Sequence, residues 1–455
     1  MLKKIGPQLK HFSLTTGYIP DIVLLHLPIC IHLEELCLGG NFYHPNASPI
    51  AKLQNLKVLK IRSRLISNLV DIFIGNDNLK NLVELELSVN NNIDPNLLKI
   101  ISSKCPNLVS FTLQVKQDKL CGLFEISNLK KLKKLHLIDC NIDPKDLICL
   151  FNSGNLEHLM ELQLFYFFRI KDFTKNPWTV TEKHIQLDQV IQSIALGCPQ
   201  LESLELNANN MKKPTISQIQ NLKKLKFSIE SQKSLISEVR NSEMSISLPA
   251  EDLLSIFSNG KLKHLEYLDF GETNTISDEV IKAIAMECPK LQCLNLANLN
   301  KTSDKSVEIS EKTIEYLIKM CKNLRELHLN ESYSILYLVW LKKYVPRIYF
   351  GEELISYKTI TRLNISENLI DYIDALTQLH NLKTLIFLKF KTENVKFVLS
   401  SGSVNWKILQ TLIFKKCDKI DVDVMKIIAM KSQNFQVFDT PEGRTFSNKY
   451  VRTQM

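Results

Sequence analysis

Eleven cysteines and ten histidines are the residues of this 455-residue chain with the most chemistry to offer. Thiolates and imidazoles hold zinc, thiols pair as disulfides, and a Cys–His pair makes a nucleophile. Each of these roles demands a spacing. No C-x-x-C pair occurs, no histidine cluster accompanies the cysteines, and the cysteine count is odd. The sequence therefore predicts neither a zinc site nor a disulfide framework. No Walker A loop, G-x-S-x-G elbow or H-E-x-x-H helix is present either. His136 and His328 fall at exposed strand positions with no triad partner nearby in sequence. The expectation is a protein with no catalytic residue, no metal and no cofactor, and not an enzyme.

What the cysteines do is set by where they recur. "CPNLVSFTL" begins at Cys105, "CPQLESLEL" at Cys198, "CPKLQCLNL" at Cys288 and "CKNLRELHL" at Cys321. The same register carries Leu53, Leu79, Leu129, Leu156, Ile219 and Leu262 in other copies. A position shared by Cys, Leu and Ile is a small apolar slot, so cysteine is read here as a core hydrophobe.

The elements around that slot are legible. L-x-x-L-x-L, with Ile or Phe allowed, recurs in about sixteen units, opening at Leu9, Leu33, Leu56, Leu82 and Leu108 and continuing to Phe435. The second and third Leu alternate as on a strand, sending the residues between them to the other face. A turn and an amphipathic segment follow. In "NNNIDPNLLKIISSKCPNL", Asp94 and Pro95 suit a helix start, and Leu98, Ile101 and Cys105 share one face. A second column, Asn41, Asn90, Cys140, Asn209, Asn368 and Cys417, is placed to hydrogen-bond the turn after the strand.

The pattern C-x-x-L-x-x-L-x-L-x-x-C/N resembles the cysteine-containing class of leucine-rich repeat, as in the F-box/LRR (RNI-like) proteins. The resemblance implies an α/β solenoid, a horseshoe whose concave parallel sheet is backed by convex helices. It also implies substrate recognition in an SCF-type ubiquitin ligase. The ligase-docking F-box is not recognisable. The first repeat opens at Leu9, and "LPAEDLLSIFSNG" from Leu248 mimics only the start of an F-box before the strand near His264. That stretch is expected to be the helix of a long repeat. A ligase adaptor is expected as a partner only if an F-box is supplied elsewhere. A free-standing interaction scaffold is the alternative. Nucleic-acid binding and a Ran GTPase-activating type of repeat protein are more remote.

Recognition is expected on the concave face. Its candidate contacts are Lys60, Glu86, His136, Gln163, Glu205, Lys226, Tyr267, Asp269, Asn295, Glu326 and His328. The aromatic stretch "FYFFRIKDFTKNPWTV" adds Phe165, Tyr166, Phe167 and Trp178 as loop contacts, in the manner of interface anchors. The outward strand positions mix basic residues such as Lys60 and Lys226 with acidic ones such as Glu86 and Glu205. The net charge of +9 must then sit elsewhere, which favours a protein partner over nucleic acid.

The remaining expectations concern organisation. Residues 1–440 read as one repeat array, with insertions at about 165–184, 228–260 and 331–358, and 441–455 as a polar tail. "ESYSILYLVWLKKYVPRIYF" from Glu331 is expected to form an elongated helix on the convex side. Apolar content of 45% and charged content of 23% suit a folded soluble protein. The longest apolar run, Ile22 to Leu33, is broken by Pro28 and two histidines and is too short to span a bilayer. The N-terminus lacks a signal-peptide h-region, so a cytoplasmic or nuclear location is expected.

Overall fold

The structure is a computed structural model. We describe residues 6–41, 48–63, 69–74, 77–89, 93–115, 120–166, 180–207, 215–228, 250–258, 260–271, 276–296, 309–329, 335–350, 353–354, 362–415, 417, 422–431, 437–439 and 445–446. The chain divides into two compact units, residues 1–291 with 299–323, and residues 292–298 with 324–455.

The first unit carries ten strands in sequence order: β1 (His11–Tyr18), β2 (Glu35–Asn41), β3 (Val58–Ser63), β4 (Glu84–Val89), β5 (Ser110–Val115), β6 (Lys134–Cys140), β7 (Glu161–Tyr166), β8 (Ser203–Asn207), β9 (Lys224–Ser228) and β10 (Tyr267–Asp269). Each pairs in parallel with the next, and the second Leu of each repeat lies opposite the second Leu of its neighbour. A one-residue slip would turn the Leu pairs outward, so the apolar alternation fixes this register. Leu36, Leu59, Leu85, Phe111, Leu135, Leu162, Leu204, Leu225 and Leu268 form one continuous buried row.

In four repeats of the first unit the return element follows repeat length, whereas the 24-residue repeat from Leu9 to Leu33 combines the α-helix Asp21–His26 with the 3₁₀ turn Leu27–Ile29. From Leu108 to Leu132 is 24 residues, and the return is a 3₁₀ turn, Leu123–Asn128. From Leu201 to Leu222 is 21, and it is again 3₁₀, Thr215–Gln218. From Leu82 to Leu108 is 26, and the return is the α-helix Leu97–Lys104; from Leu132 to Leu159 is 27, and it is the helix Pro144–Phe151. A 3₁₀ turn rises about 2.0 Å per residue against about 1.5 Å in an α-helix, so it spans the same distance with fewer residues. The helices Val180–Gly197, Ala250–Phe257 and Glu311–Met320 lie in repeats of 42, 43 and 33 residues, and Asp278–Glu287 in one of 26. Within the "LPAEDLLSIF" stretch, Ala250–Phe257 is a repeat helix, with Leu253, Ile256 and Phe257 buried and its flank against Asp278–Glu287; Leu248 and Pro249 lie outside the described residues.

The cysteine column is core. Cys30, Cys105, Cys198, Cys288 and Cys321 are at most 1% exposed, and no disulfide forms among the eleven. Burial pushes the thiols of Cys105, Cys198 and Cys288 up to about 12. In the second column, Cys140 and Cys417 donate to the carbonyls of Leu113 and Phe387 at 3.5 and 3.4 Å. Asn90 and Asn209 lie outside the described residues.

An asparagine ladder runs at a different register, directly before the first Leu. Asn55, Asn81, Asn107, Asn221 and Asn323 donate to the carbonyls of Ile31, Gln54, Lys80, Pro199 and Pro289 in the preceding repeat, at 2.7 to 3.3 Å. Each bond satisfies a backbone acceptor that the parallel ladder leaves over.

The second unit holds β11 (Cys293–Asn295), β12 (Glu326–Leu329) and β13 (Arg347–Phe350) in parallel, with β14 (Glu353–Leu354) antiparallel to β13. A further sheet follows: β15 (Arg362–Ser366), β16 (Thr384–Leu388), β17 (Thr411–Lys415) and β18 (Val437–Asp439) in parallel, then β19 (Thr445–Phe446) antiparallel to β18. The segment from Glu331 is therefore not one elongated helix. Only Ile335–Leu341 is α-helical, and Val345, Ile348 and Phe350 make another strand repeat, with Val at the first Leu position. The 441–455 region likewise contributes β19. Tyr337, Trp340, Tyr344 and Tyr372 cluster at centroid distances of 4.9 to 5.9 Å where that helix meets the 3₁₀ segment Glu367–Gln378, with Tyr337 stacked on Trp340 and the other pairs tilted or edge-on. No helix among the described residues is long and apolar enough to cross a membrane. The chain is an α/β leucine-rich-repeat solenoid.

Candidate recognition surface

The residues between the Leu positions form rows across the open face of each sheet. In the first unit the mid-strand row is continuous: Ser13, Cys37, Lys60, Glu86, Thr112, His136, Gln163, Glu205, Lys226 and Asp269, each opposite the next. Six of the candidate contacts thus share one line with Asp269 at its end.

Charges on this face pair across strands. Lys60 Nζ lies 2.7 Å from Glu84, and Arg62 donates from both Nε and Nη2 to Glu86 at 2.5 and 3.1 Å. Lys226 Nζ lies 2.5 Å from Glu205. Glu161 receives Lys134 at 2.9 Å and His136 Nε2 at 3.0 Å, while His136 Nδ1 faces Thr112 Oγ1 at 3.4 Å. Burial raises the pKa of the Glu161 carboxyl. The hydrogen bond and charge of Lys134, aided by His136, outweigh that and hold it below the usual carboxylate range. Hydrogen bonds to Glu84 and Glu86 hold Lys60 and Arg62 above their ordinary values. The face is therefore a mosaic of mixed sign and not a basic stripe.

One candidate does not lie on the surface. Asp269 is 5% exposed, its Oδ1 accepting from Gly271 N–H at 2.9 Å and its Oδ2 from Tyr267 O–H at 3.3 Å. It closes the turn after β10, where Gly271 takes φ +57°, and so caps the backbone there. Tyr267 keeps a half-buried ring with Lys224 Nζ 5.1 Å from its centroid. Of the aromatic loop candidates, Phe165 and Tyr166 end β7, Phe165 half-buried opposite Ile138 and Tyr166 opposite Cys140. Phe167 and Trp178 lie outside the described residues.

In the second unit β11 and β12 set Cys293 opposite Glu326 and Asn295 opposite His328. The Cys293 thiol, a Glu326 carboxylate oxygen and a His328 ring nitrogen all lie within 4.8 Å of one another. Arg347, opposite Glu326 on β13, donates to Glu326 Oε1 at 2.5 Å. Spacing rules for zinc ligands do not find this group, because its members are joined by strand register across 33 residues of chain. The available signal is that Cys293 stands outside the cysteine column, on the strand's outward face.

A shallow groove follows the entrance edge of the first strands, lined by Lys10, His32, Glu34, Asn55, Lys57, Asn81 and Val83. Lys57 and Glu34 pair there at 2.7 Å.

No protein-family model and no curated protein matches the chain. Among solved structures, it is similar to a leucine-rich-repeat protein of Leptospira interrogans, with 17% identity over 96% of this chain and 97% of that one and a TM-score of 0.45. It is also similar to the functional domain of InlJ from Listeria monocytogenes, which includes a cysteine ladder, with 12% identity over 85% and 76% of the two chains and a TM-score of 0.37. The chain's own parallel register and buried cysteine column make it a cysteine-containing leucine-rich-repeat solenoid.

Proposed function

We propose that this chain is a non-catalytic protein-recognition module that reads its partner with the open sheet face of the first unit. The observation that carries the reading is the row from Lys60 to Lys226, a polar surface of mixed sign whose charges pair across strands. Nucleic acid calls for an unbroken positive track along its backbone. A surface of mixed sign suits a protein patch of complementary charge, which fixes orientation and excludes wrong partners. Stacked repeats present such extended surfaces without any change to the core.

The finer reading is that the partner is a protein selected for ubiquitination, which the resemblance of the repeat to F-box/LRR proteins supports. The helix Ala250–Phe257 would not dock a ligase adaptor, because Leu253, Ile256 and Phe257 are already buried in the array and only Leu254 of its large apolar residues is exposed. Affinity purification from the native cell tests the finer reading. Recovery of the adaptor and cullin together with a third protein supports it. Recovery of a partner alone supports a free-standing interaction scaffold.

A further inference from the structure

We propose that Cys293, Glu326 and His328 form a zinc site on the sheet face of the second unit, joining β11 to β12. Three different donor types converge there. The Cys293 sulfur, one Glu326 oxygen and one His328 nitrogen lie mutually within 4.8 Å, a separation that one tetrahedral ion can bridge after small side-chain rotations. Cys293 and Glu326 are directly opposed on neighbouring strands, and His328 stands two residues beyond Glu326, on the same face. All three are held by strands and not by loops, so a site built from them is pre-positioned.

The donor chemistry selects the ion. A thiolate with an imidazole and one carboxylate suits zinc over magnesium or calcium, which take oxygen ligands. Three protein ligands leave one coordination position open, the arrangement of zinc sites that keep an exchangeable water or ligand. Arg347 supplies the outer support. Its Nη1 holds Glu326 Oε1 at 2.5 Å, which fixes the carboxylate and leaves Oε2 for the ion. Zinc takes the thiolate, so binding releases the Cys293 proton to solvent, and the ion's two charges are balanced by thiolate and carboxylate. Cys293 is 7% exposed, which shields the thiolate from competing oxidants, while Glu326 and His328 are half-buried and leave an approach from the open face. This site is independent of the recognition surface on the first unit.

The test is cobalt titration of the full-length protein after chelator treatment, since thiolate-bound cobalt gives a charge-transfer band that zinc does not. The wild-type protein is expected to take up one cobalt ion with that band, and an equivalent of zinc should abolish it. Cys293→Ser should lose the band. His328→Gln, a change at a half-exposed position, should weaken cobalt binding by more than about tenfold while the circular dichroism spectrum is unchanged. A double variant, Cys121→Ser with Cys149→Ser, removes two exposed thiols and should keep the band. The absence of a thiolate–cobalt band in the wild type overturns the proposal. So does a band that survives Cys293→Ser, or undiminished affinity in His328→Gln.

Discussion

Arg62 on β3 reaches across to Glu86 on β4 and donates to its carboxylate from two nitrogens, at 2.5 and 3.1 Å. The two are not directly opposed: Lys60 faces Glu86, and Arg62 faces Ser88. The pair is a diagonal, so one forked contact ties neighbouring repeats together on the recognition face. Arg62 is 64% exposed, and solvent screening limits the value of such a pair to less than about 1 kcal/mol. Arg62→Ala is expected to lower unfolding free energy by that amount, and the loss should shrink as salt rises. Urea unfolding at two ionic strengths checks both statements.

Buried cysteines of both columns should be inert and the exposed ones reactive. With their thiols pushed up to about 12, Cys105, Cys140, Cys198 and Cys288 carry almost no thiolate at neutral pH. Cys121 and Cys149 are exposed. Alkylation of the native protein followed by peptide mapping should mark Cys121 and Cys149 first. Cys105→Ser, Cys198→Ser or Cys288→Ser should cost about 1–3 kcal/mol by burying a hydroxyl, with Ala or Val milder. Rapid native labelling at Cys198 would contradict the packing described.

Gly197 ends the helix Val180–Gly197 against the preceding repeat, where a Cβ would run into the backbone carbonyl of Phe151. No flexible side-chain end is available to yield. Gly197→Ala should therefore destabilise by more than the ordinary helix gain of about 1 kcal/mol can offset. A melting temperature equal to or above wild type would mean that these two helices are spaced more widely.

Acid should weaken the first unit through Glu161. Its folded pKa lies below the ordinary carboxylate value, so the unfolded state binds the proton more tightly. The stabilisation is then fully present above the ordinary value of 4.5 and is lost as pH falls through the lower folded value. Glu161→Gln removes this dependence and should flatten the acid limb of the stability curve. Asp278, held low by hydrogen bonds from Ser310 that outweigh its burial, adds a slope of the same sign. An acid limb unchanged in Glu161→Gln would count against the Lys134–Glu161–His136 cluster.

The apolar period made most of this fold readable. Leu33, Leu56, Leu82, Leu108, Leu132, Leu159 and Leu201 were placed by pattern alone and are all buried. The same alternation placed Glu205 beside Lys226 on the open face. What escaped the pattern did so for identifiable reasons. The repeat that contains β13 opens with Val345, outside a template of Leu, Ile and Phe. Strands β14 and β19 are two residues long, too short for a period to show. Asp269 occupies an outward strand position, yet the turn at Gly271 folds its carboxylate onto the backbone. The Cys293–Glu326–His328 group depends on which strands are neighbours, and sequence spacing does not carry that.

The recognition claim is tested most directly by exchanging one ion pair. Lys226 and Glu205 face each other across β8 and β9 at 2.5 Å. The double variant Glu205→Lys with Lys226→Glu keeps a pair in place but reverses the sign at both positions toward a partner. Its affinity for a partner captured from the native cell should be measured by titration calorimetry beside a melting curve. The account predicts a loss of more than about tenfold in affinity, equivalent to about 1.4 kcal/mol, with the melting temperature unchanged. Affinity equal to that of the wild-type protein would contradict it and move the binding surface off this face.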